Sequence, residues 1–168
     1  MRYAILTVSD RSSRGERDDL SGPALKALIE ANKGEVVITA IVPDEMELIQ
    51  QKLISWSDSG GIDIILTSGG TGFAVRDITP EATRSVLARL TPGLDEAMRS
   101  RSMQITPHAM LSRAISGIRQ KTIIINLPGS PNGAKENLEV VLPVLDHAVK
   151  LLQDDPDSEK GHQSVHKD

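Results

Sequence analysis

The chain has 168 residues, enough for one ordinary domain with a sizeable core and too few for two. Apolar residues make up 39% and charged residues 25%, as in soluble globular proteins, and a net charge of −4 provides no general basic field for DNA or RNA. The absence of cysteine excludes disulfides, thiolate metal sites and cysteine nucleophiles, and one Phe, one Trp and one Tyr are too few for a platform that stacks nucleic-acid bases.

The first half of the chain alternates predicted strands with predicted helices. Runs of β-favouring apolar residues predict strands over residues 3–9, 35–42 and 62–68. Apolar residues at helical spacing predict helices over residues 22–34 and 45–61. The polar segment DRSSRGERDDLSG, which follows the first strand, is predicted to be a loop.

The second half continues this alternation less regularly. Helices are predicted for TPEATRSVLARL and TPGLDEAMRSRSM, and TPHAMLSRAISGIRQ is interpreted as a short helix followed by a strand that turns through Gly117. KTIIINL is a strong buried strand, and the last helix, AKENLEVVLPVLDHAVKLLQ, is expected to kink at Pro143. Residues 1–152 therefore form the predicted domain, and residues 153–168 a polar, disordered tail.

Two features of the sequence bear on location. No apolar stretch approaches the ~18 residues needed to span a bilayer. The first apolar run ends before Asp10, which is too early for a signal peptide. We therefore expect a cytoplasmic protein without membrane or nucleic-acid partners.

Alternating strands and helices predict an α/β sandwich over a mainly parallel sheet, in which ligands bind beyond the carboxyl ends of the strands. Four predicted strands end in small, hydroxyl or carboxylate residues: Ser9-Asp10, Pro43-Asp44, Ser68–Gly72 and Gly129-Ser130. If these strands are parallel, all four ends lie on one edge, where bare backbone N–H groups and helix N-termini can bind an anion. The glycine loop LTSGGTGFAVRD is neither a P-loop nor a dinucleotide fingerprint, so these residues predict a phosphate or nucleotide pocket without further detail.

The charged residues near these ends have alternative interpretations. Asp44 and Asp77 could bind Mg²⁺ beside a phosphate or serve in acid–base chemistry. Asp44 could instead form a capping box with Glu47, and Asp77 could cap or support the helix after Thr79. His108 and His147 are interpreted as structural. A subset of the basic residues could form a local positive wall for a polyanion; the candidates are Arg11, Arg14, Arg17, Arg76, Arg113, Arg119 and Lys121.

Four segments together resemble the molybdopterin adenylyltransferases, the family of the bacterial molybdenum-cofactor proteins and of the G domains of the plant cofactor-synthesis protein and gephyrin. They are AILTVSDRSS, SGGTGFAVRDITPEAT, PHAMLSRAISGIRQKTIIINLPGSP and the last helix. The likeness covers roughly residues 3–152. The family pattern often has Pro where this chain has Val75, and Gly where it has Gln120; neither position is a proposed ligand contact.

The resemblance implies a three-layer α/β/α sandwich that usually forms a homotrimer. It also implies Mg²⁺-dependent transfer of AMP from ATP to the terminal phosphate of molybdopterin, with release of pyrophosphate and a possible hand-over of the product to a molybdenum-insertion protein. Asp44 and Asp77 match the two functional aspartates and are expected to hold Mg²⁺. The phosphate-contacting loop is expected at Gly69, Gly70, Thr71 and Gly72, with Thr71 also supplying a hydroxyl; Ser112 matches a pterin-side residue, and Ser9, Asp10, Gly129 and Ser130 the other pocket walls.

Two other functions are alternatives to adenylyl transfer. One is a nucleotide pyrophosphatase of the same fold, which has a similar glycine loop. The other is a non-catalytic molybdopterin-binding or scaffold module. The complete set of motifs favours adenylyl transfer.

Overall fold

The computed structural model of the protein describes residues 1–154, so the predicted tail lies outside the described residues from position 155 onward. Its strands are β1 (Arg2–Val8), β2 (Glu35–Val42), β3 (Ile64–Ser68), β4 (Arg89–Leu90), β5 (Ser116–Arg119) and β6 (Thr122–Leu127). Its α-helices are α1 (Asp10–Ser13), α2 (Ser21–Ala31), α3 (Met46–Asp58), α4 (Thr79–Val86), α5 (Pro92–Met103) and α6 (Pro131–Leu152), and a 3₁₀ helix covers Pro107–Leu111. Among these described helices, none combines the length and the apolar character that crossing a membrane requires.

The strands form one six-stranded sheet in the order β2-β1-β3-β6-β5-β4. β2, β1, β3 and β6 are parallel neighbours, whereas β5 is antiparallel to β6 and β4 is antiparallel to β5. Every residue of β3 and β6 is buried, as expected for strands covered on both faces. The prediction of a mainly parallel sheet is therefore confirmed.

Helices cover both faces of this sheet and enclose two apolar cores. On one face, Tyr3 and Ile5 of β1 pack with residues of α2, α5 and α6. On the other face, Ala4 and Leu6 of the same strand pack with residues of α3 and α4. Successive side chains of β1 therefore enter opposite cores, as the alternation along a strand requires. The three-layer α/β/α sandwich is confirmed.

Three local predictions are corrected. The polar segment after β1 contains the short helix α1, because the Ser9 side chain accepts a hydrogen bond from Ser12 N–H and caps it. The helix predicted over residues 79–90 ends at Val86, where the chain becomes extended and forms the edge strand β4. The last helix begins at Pro131, three residues earlier than predicted, and contains Pro143 in its interior.

The two ends of the described chain meet at Asp63, just before β3. Asp63 accepts hydrogen bonds from Arg2 N–H at 2.7 Å and from Gln153 Nε2 at 3.0 Å. The start of β1 and the end of α6 are therefore adjacent at the amino edge of the parallel strands.

Gln120, in the turn between β5 and β6, lies where the family pattern often has Gly. Gln120 adopts a φ of 51°, in the left-handed region where a side chain is strained and glycine is not. Arg119 and Thr122 pair across this turn, so the backbone conformation is fixed by the hairpin.

We therefore expect Gln120→Gly to raise the free energy of unfolding by roughly 0.5–1 kcal/mol, because relief of the strain exceeds the added chain entropy. Urea unfolding of the purified protein measures this change. The control is Gln51→Gly on the exposed face of α3, which should lower stability by about 1 kcal/mol. A loss of stability in both variants would contradict the assignment of strain to Gln120.

Candidate active site

The four predicted strand ends meet in a two-part cleft at the carboxyl edge of the sheet. The larger part is a cavity of about 690 Å³ whose lining includes the predicted residues Ser9, Asp10, Asp44, Gly69, Gly70, Asp77, Gly129 and Ser130. The smaller part, about 280 Å³, lies among α5, the 3₁₀ helix and the start of α6, and its lining includes Thr71, Gly72 and Ser112. Ser130 lines both parts, so the cavities adjoin there, and all the predicted site residues lie along one cleft.

Contacts within the protein explain why the loop begins with bare glycines. Gly69 and Gly70 have φ values of 106° and 62°. A Cβ on Gly69 would lie 2.3 Å from the Val8 carbonyl oxygen, and a Cβ on Gly70 would lie 2.4 Å from Thr79 Oγ1. These two glycines are therefore required by the close packing of the loop against β1 and α4, whether or not a ligand is bound.

The loop leaves a short series of backbone donors available. Gly69 donates its N–H to the Leu127 carbonyl, so its expected role as a phosphate donor is not supported. Within residues 1–154, by contrast, the N–H groups of Gly70, Thr71 and Gly72 donate to no protein acceptor. Successive free N–H groups in a loop of this kind form a concavity suited to an anion.

Arg113 holds the loop in shape from outside the cleft. Its Nε donates to the Gly72 carbonyl at 2.7 Å, its second guanidinium nitrogen donates to the Asp77 carbonyl, and it forms an ion pair with Glu81. Its backbone N–H donates to the Thr71 carbonyl. Arg113 therefore supports the loop and does not form part of a positive wall.

Asp10 and Asp44 are joined by two reciprocal hydrogen bonds between β1 and β2. Asp10 N–H donates to Asp44 Oδ2 at 2.8 Å, and Asp44 N–H donates to Asp10 Oδ1 at 3.1 Å. Arg76, from the glycine loop, makes a bidentate contact with the Asp10 carboxylate at 2.9 and 2.7 Å. The two carboxylates therefore have different partners and different electrostatic surroundings.

The pKa values of the two carboxyl groups move in opposite directions. The Arg76 guanidinium holds the pKa of Asp10 below its ordinary value. Burial raises the pKa of Asp44, and the nearby charges of Asp10 and Asp77 add to this rise. The Asp44 anion is thus less stable in the folded protein than in water, and a cation beside it would relieve that cost.

The capping roles considered as alternatives for Asp44 and Asp77 are not observed. The residue before α3 is Glu45, and the Asp44 side chain bonds to Asp10 rather than to the helix. Asp77 Oδ2 accepts the Ala74 N–H at 2.9 Å and so closes the glycine loop on itself. Ser130, in contrast, caps α6 by accepting the Gly133 N–H, a role that sequence reasoning did not assign to it.

The basic candidates divide between the two edges of the sheet. Arg11, Arg14, Arg17 and Arg76 line the larger cavity and could face a polyanion there. Arg119 and Lys121 lie at the opposite edge, where they form ion pairs with Asp58 and Asp154. Only the first group can contribute to a positive wall at this cleft.

The smaller cavity contains polar residues that sequence reasoning missed. Arg99 donates to the carbonyl groups of Ser112 and Ala114, and Asn137 Nδ2 donates to Ser102 Oγ. Asn137 lies in the apolar stripe of α6 between Ala134 and Leu138, and a polar residue in such a stripe was the available signal. His108, interpreted from sequence as structural, also lines this cavity.

We expect Asp44→Asn to make the protein more resistant to urea at pH 7. The raised pKa means that ionised Asp44 opposes folding above that pKa, and the amide removes the charge while keeping an acceptor for Asp10 N–H. The gain should vanish at about pH 3, below the ordinary value of 3.8, because the carboxyl group is then protonated in both states. Asp18→Asn, an exposed carboxylate on the same cavity wall, is the control, and an equal gain there would refute the explanation.

Comparisons of the sequence and of the structure with known proteins both identify relatives named for molybdopterin. A family model described as "Probable molybdopterin binding domain" matches residues 4–147. A molybdopterin adenylyltransferase of Helicobacter pylori J99 is 43% identical over 158 residues, covering 90% of this chain and 88% of that protein. The structure of the molybdopterin biosynthesis enzyme MoaB from Thermus thermophilus is 51% identical, with a TM-score of 0.86, and covers 92% of this chain and 98% of that one.

A longer relative contains the same domain. Gephyrin of Dictyostelium discoideum is 46% identical over 172 residues, covering 95% of this chain but only 24% of gephyrin, so the chain spans about a quarter of that relative. The matched domain extends from β1 into α6 and includes every segment that lines the cleft. The chain belongs to the molybdenum-cofactor-biosynthesis family defined by this molybdopterin-binding domain.

Proposed function

We propose that the protein is a molybdopterin adenylyltransferase that transfers AMP from ATP to the terminal phosphate of molybdopterin. The observation that carries this proposal is the two-part cleft, whose parts adjoin at Ser130. Gly70 lines the larger part and Thr71 and Gly72 line the smaller part, and within residues 1–154 their N–H groups have no protein acceptor. Two substrates joined through phosphate groups need adjacent sites and shared donors. The names of the similar bacterial enzymes support the same reaction.

The larger cavity suits the nucleotide and the smaller cavity the pterin. The arginines on the wall of the larger cavity can attract the triphosphate, and its volume of about 690 Å³ is within the roughly 300–1,000 Å³ typical of ligand pockets. In the smaller cavity, Met98, Ile105 and Leu111 offer apolar contacts to a flat ring, and Ser112 offers a hydroxyl group. A substrate in each cavity would place its phosphate next to the glycine loop.

In the proposed reaction, a terminal phosphate oxygen of molybdopterin attacks the α-phosphorus of ATP in line. A new P–O bond forms, the bond to the pyrophosphate leaving group breaks, and no covalent enzyme intermediate is required. The free N–H groups of the loop stabilise charge on the transferred phosphoryl oxygens, and the Thr71 hydroxyl donates beside them. The protein contributes position and charge stabilisation rather than a nucleophile.

The carboxylates of the cleft fit Mg²⁺ as a phosphate-bound ion. Within residues 1–154, no group of three or more His, Asp or Glu side chains could hold a metal ion with protein ligands alone. Mg²⁺ at phosphate sites is commonly held by only one or two carboxylates, with phosphate oxygens and water completing its shell. Asp44 and Asp77 would hold the ion, whose chemistry would be to neutralise charge on the approaching phosphates.

The rival functions make different demands on the cleft. A nucleotide pyrophosphatase needs water at the α-phosphorus and no second organic site, whereas this cleft has a second cavity with an apolar lining. A non-catalytic binding module has no need of the buried, destabilised Asp44 carboxylate. Both features favour transfer between two bound substrates.

We extend the proposal to a homotrimer that passes its product to a molybdenum-insertion protein. The edge strand β2 exposes Val37, Ile38 and Ile41, each at least 40% accessible, which is apolar surface available for contact with another copy. Sedimentation equilibrium tests the trimer, and a monomer at assay concentrations would exclude it.

The reaction is tested by measuring pyrophosphate release with ATP, Mg²⁺ and molybdopterin. We expect release only when molybdopterin is present, in a 1:1 ratio with the adenylylated pterin. Release from ATP alone would support the pyrophosphatase. Binding of molybdopterin without any release would support the non-catalytic module.

The role of Asp77 is tested with Asp77→Asn, which keeps an acceptor for the Ala74 N–H and removes the charge. We expect kcat to fall by roughly 100-fold or more, as on loss of a group that stabilises charge in the transition state, with molybdopterin still bound. Asp18→Asn again serves as the control for charge on the cavity wall. An undiminished rate in Asp77→Asn would refute the assignment of Asp77 as a metal ligand.

A further inference from the structure

The side chain of Thr79, at the start of α4, is fully buried. The residue has no exposed surface, and within residues 1–154 its Oγ1 forms no hydrogen bond. Its backbone N–H donates to the Gly70 carbonyl at 3.1 Å, which fixes Thr79 directly against the glycine loop. A buried hydroxyl without a partner is costly to folding, so its presence calls for an explanation.

The Thr79 hydroxyl shares one small space with the Asp44 carboxylate. The position that a Cβ would occupy on Gly70 lies 2.4 Å from Thr79 Oγ1 and 2.9 Å from Asp44 Oδ1. Both oxygens therefore border the space left by the missing Gly70 side chain. Asp44 Oδ2 is already bonded to Asp10 N–H, so Oδ1 is the carboxylate oxygen still available to this gap.

We propose that Thr79 is a positioning residue for Asp44: its hydroxyl donates to Asp44 Oδ1 when the cleft binds a phosphate-bound divalent cation. This inference rests on the proposed function, because it assumes that Asp44 holds the cation. Because the hydroxyl is bonded to no group within residues 1–154, the new hydrogen bond forms without breaking one among them. Asp10 N–H on one carboxylate oxygen and Thr79 on the other would then fix the orientation of Asp44.

The two expected effects of Thr79→Val have opposite directions, which separates positioning from a structural role. Valine has nearly the same shape and lacks the oxygen, so the variant should unfold at the same urea concentration as the original protein or at a higher one. Binding of the Mn²⁺–ATP complex to the protein, measured by isothermal titration calorimetry with a titration into buffer as the blank, should weaken by about 10-fold, as for loss of one hydrogen bond to a charged group. Thr79→Ser keeps the hydroxyl and should restore the binding.

Thr83→Val provides the matched control, one turn further along α4. Thr83 is equally buried, but its Oγ1 accepts a hydrogen bond from Asn126 Nδ2 at 2.9 Å. Its replacement should lower the urea midpoint and leave the affinity for Mn²⁺ with ATP unchanged. Thr79 and Thr83 should therefore show opposite patterns of stability and binding.

Asp44→Asn separates failure of this inference from failure of the proposed function. If Asp44→Asn weakens Mn²⁺ binding and Thr79→Val does not, the role of Thr79 is overturned and that of Asp44 stands. If neither variant weakens binding, Asp44 does not hold the cation, and both ideas are overturned. A lower urea midpoint for Thr79→Val would also overturn the inference, because it would show that the hydroxyl already supports the fold.

Discussion

The contact of Gly69 with the ends of three parallel strands is the constraint on which the cleft depends. Gly69 lies against the Val8 carbonyl at the end of β1, donates its N–H to Leu127 at the end of β6, and itself follows the last residue of β3. Gly129 packs on the same point, since a Cβ there would lie 3.2 Å from the Gly69 α-carbon. A side chain at position 69 would push these ends apart and separate the elements that build both cavities.

This packing gives a structural reason for the first two glycines of the loop. A glycine cluster after a strand suggests bare backbone presented to phosphate, but Gly69 and Gly70 are required by neighbouring protein atoms. Within residues 1–154, the loop N–H groups without a protein acceptor are those of Gly70, Thr71 and Gly72. Gly69 is therefore structural, Gly70 is both required by packing and available as a donor, and Thr71 and Gly72 are available as donors.

The sequence predicts the fold and the location of the cleft because both depend on local patterns. The apolar runs of β3 and β6 identify covered strands, and parallel neighbours must end at one edge. The partners of individual side chains depend on contacts between distant segments. The residues next to Asp44 in the sequence do not indicate its hydrogen bonds with Asp10, 34 residues earlier. Those next to Arg113 do not indicate its hydrogen bond to Gly72, 41 residues away. The local capping pattern at Asp44 predicted the wrong partner for this reason.

The charges of the cleft are arranged so that one carboxylate is neutralised and another is not. Arg76 compensates Asp10, while Asp44 is buried between negative neighbours. The charge of Asp10 is thus paired, whereas burial makes the charge of Asp44 costly. In the proposed reaction, a cation bound by Asp44 would offset this cost and would thereby stabilise the folded domain.

The meeting of the first strand and the last helix at Asp63 has an architectural consequence. Both ends of the described chain leave the sandwich at the edge remote from the cleft, within reach of the same carboxylate. Additional polypeptide could be joined at either end, or the whole unit inserted between other modules, without crowding the entrance to the substrate pockets. Such geometry suits a building block that is reused inside much larger proteins, as the match to a quarter of gephyrin illustrates.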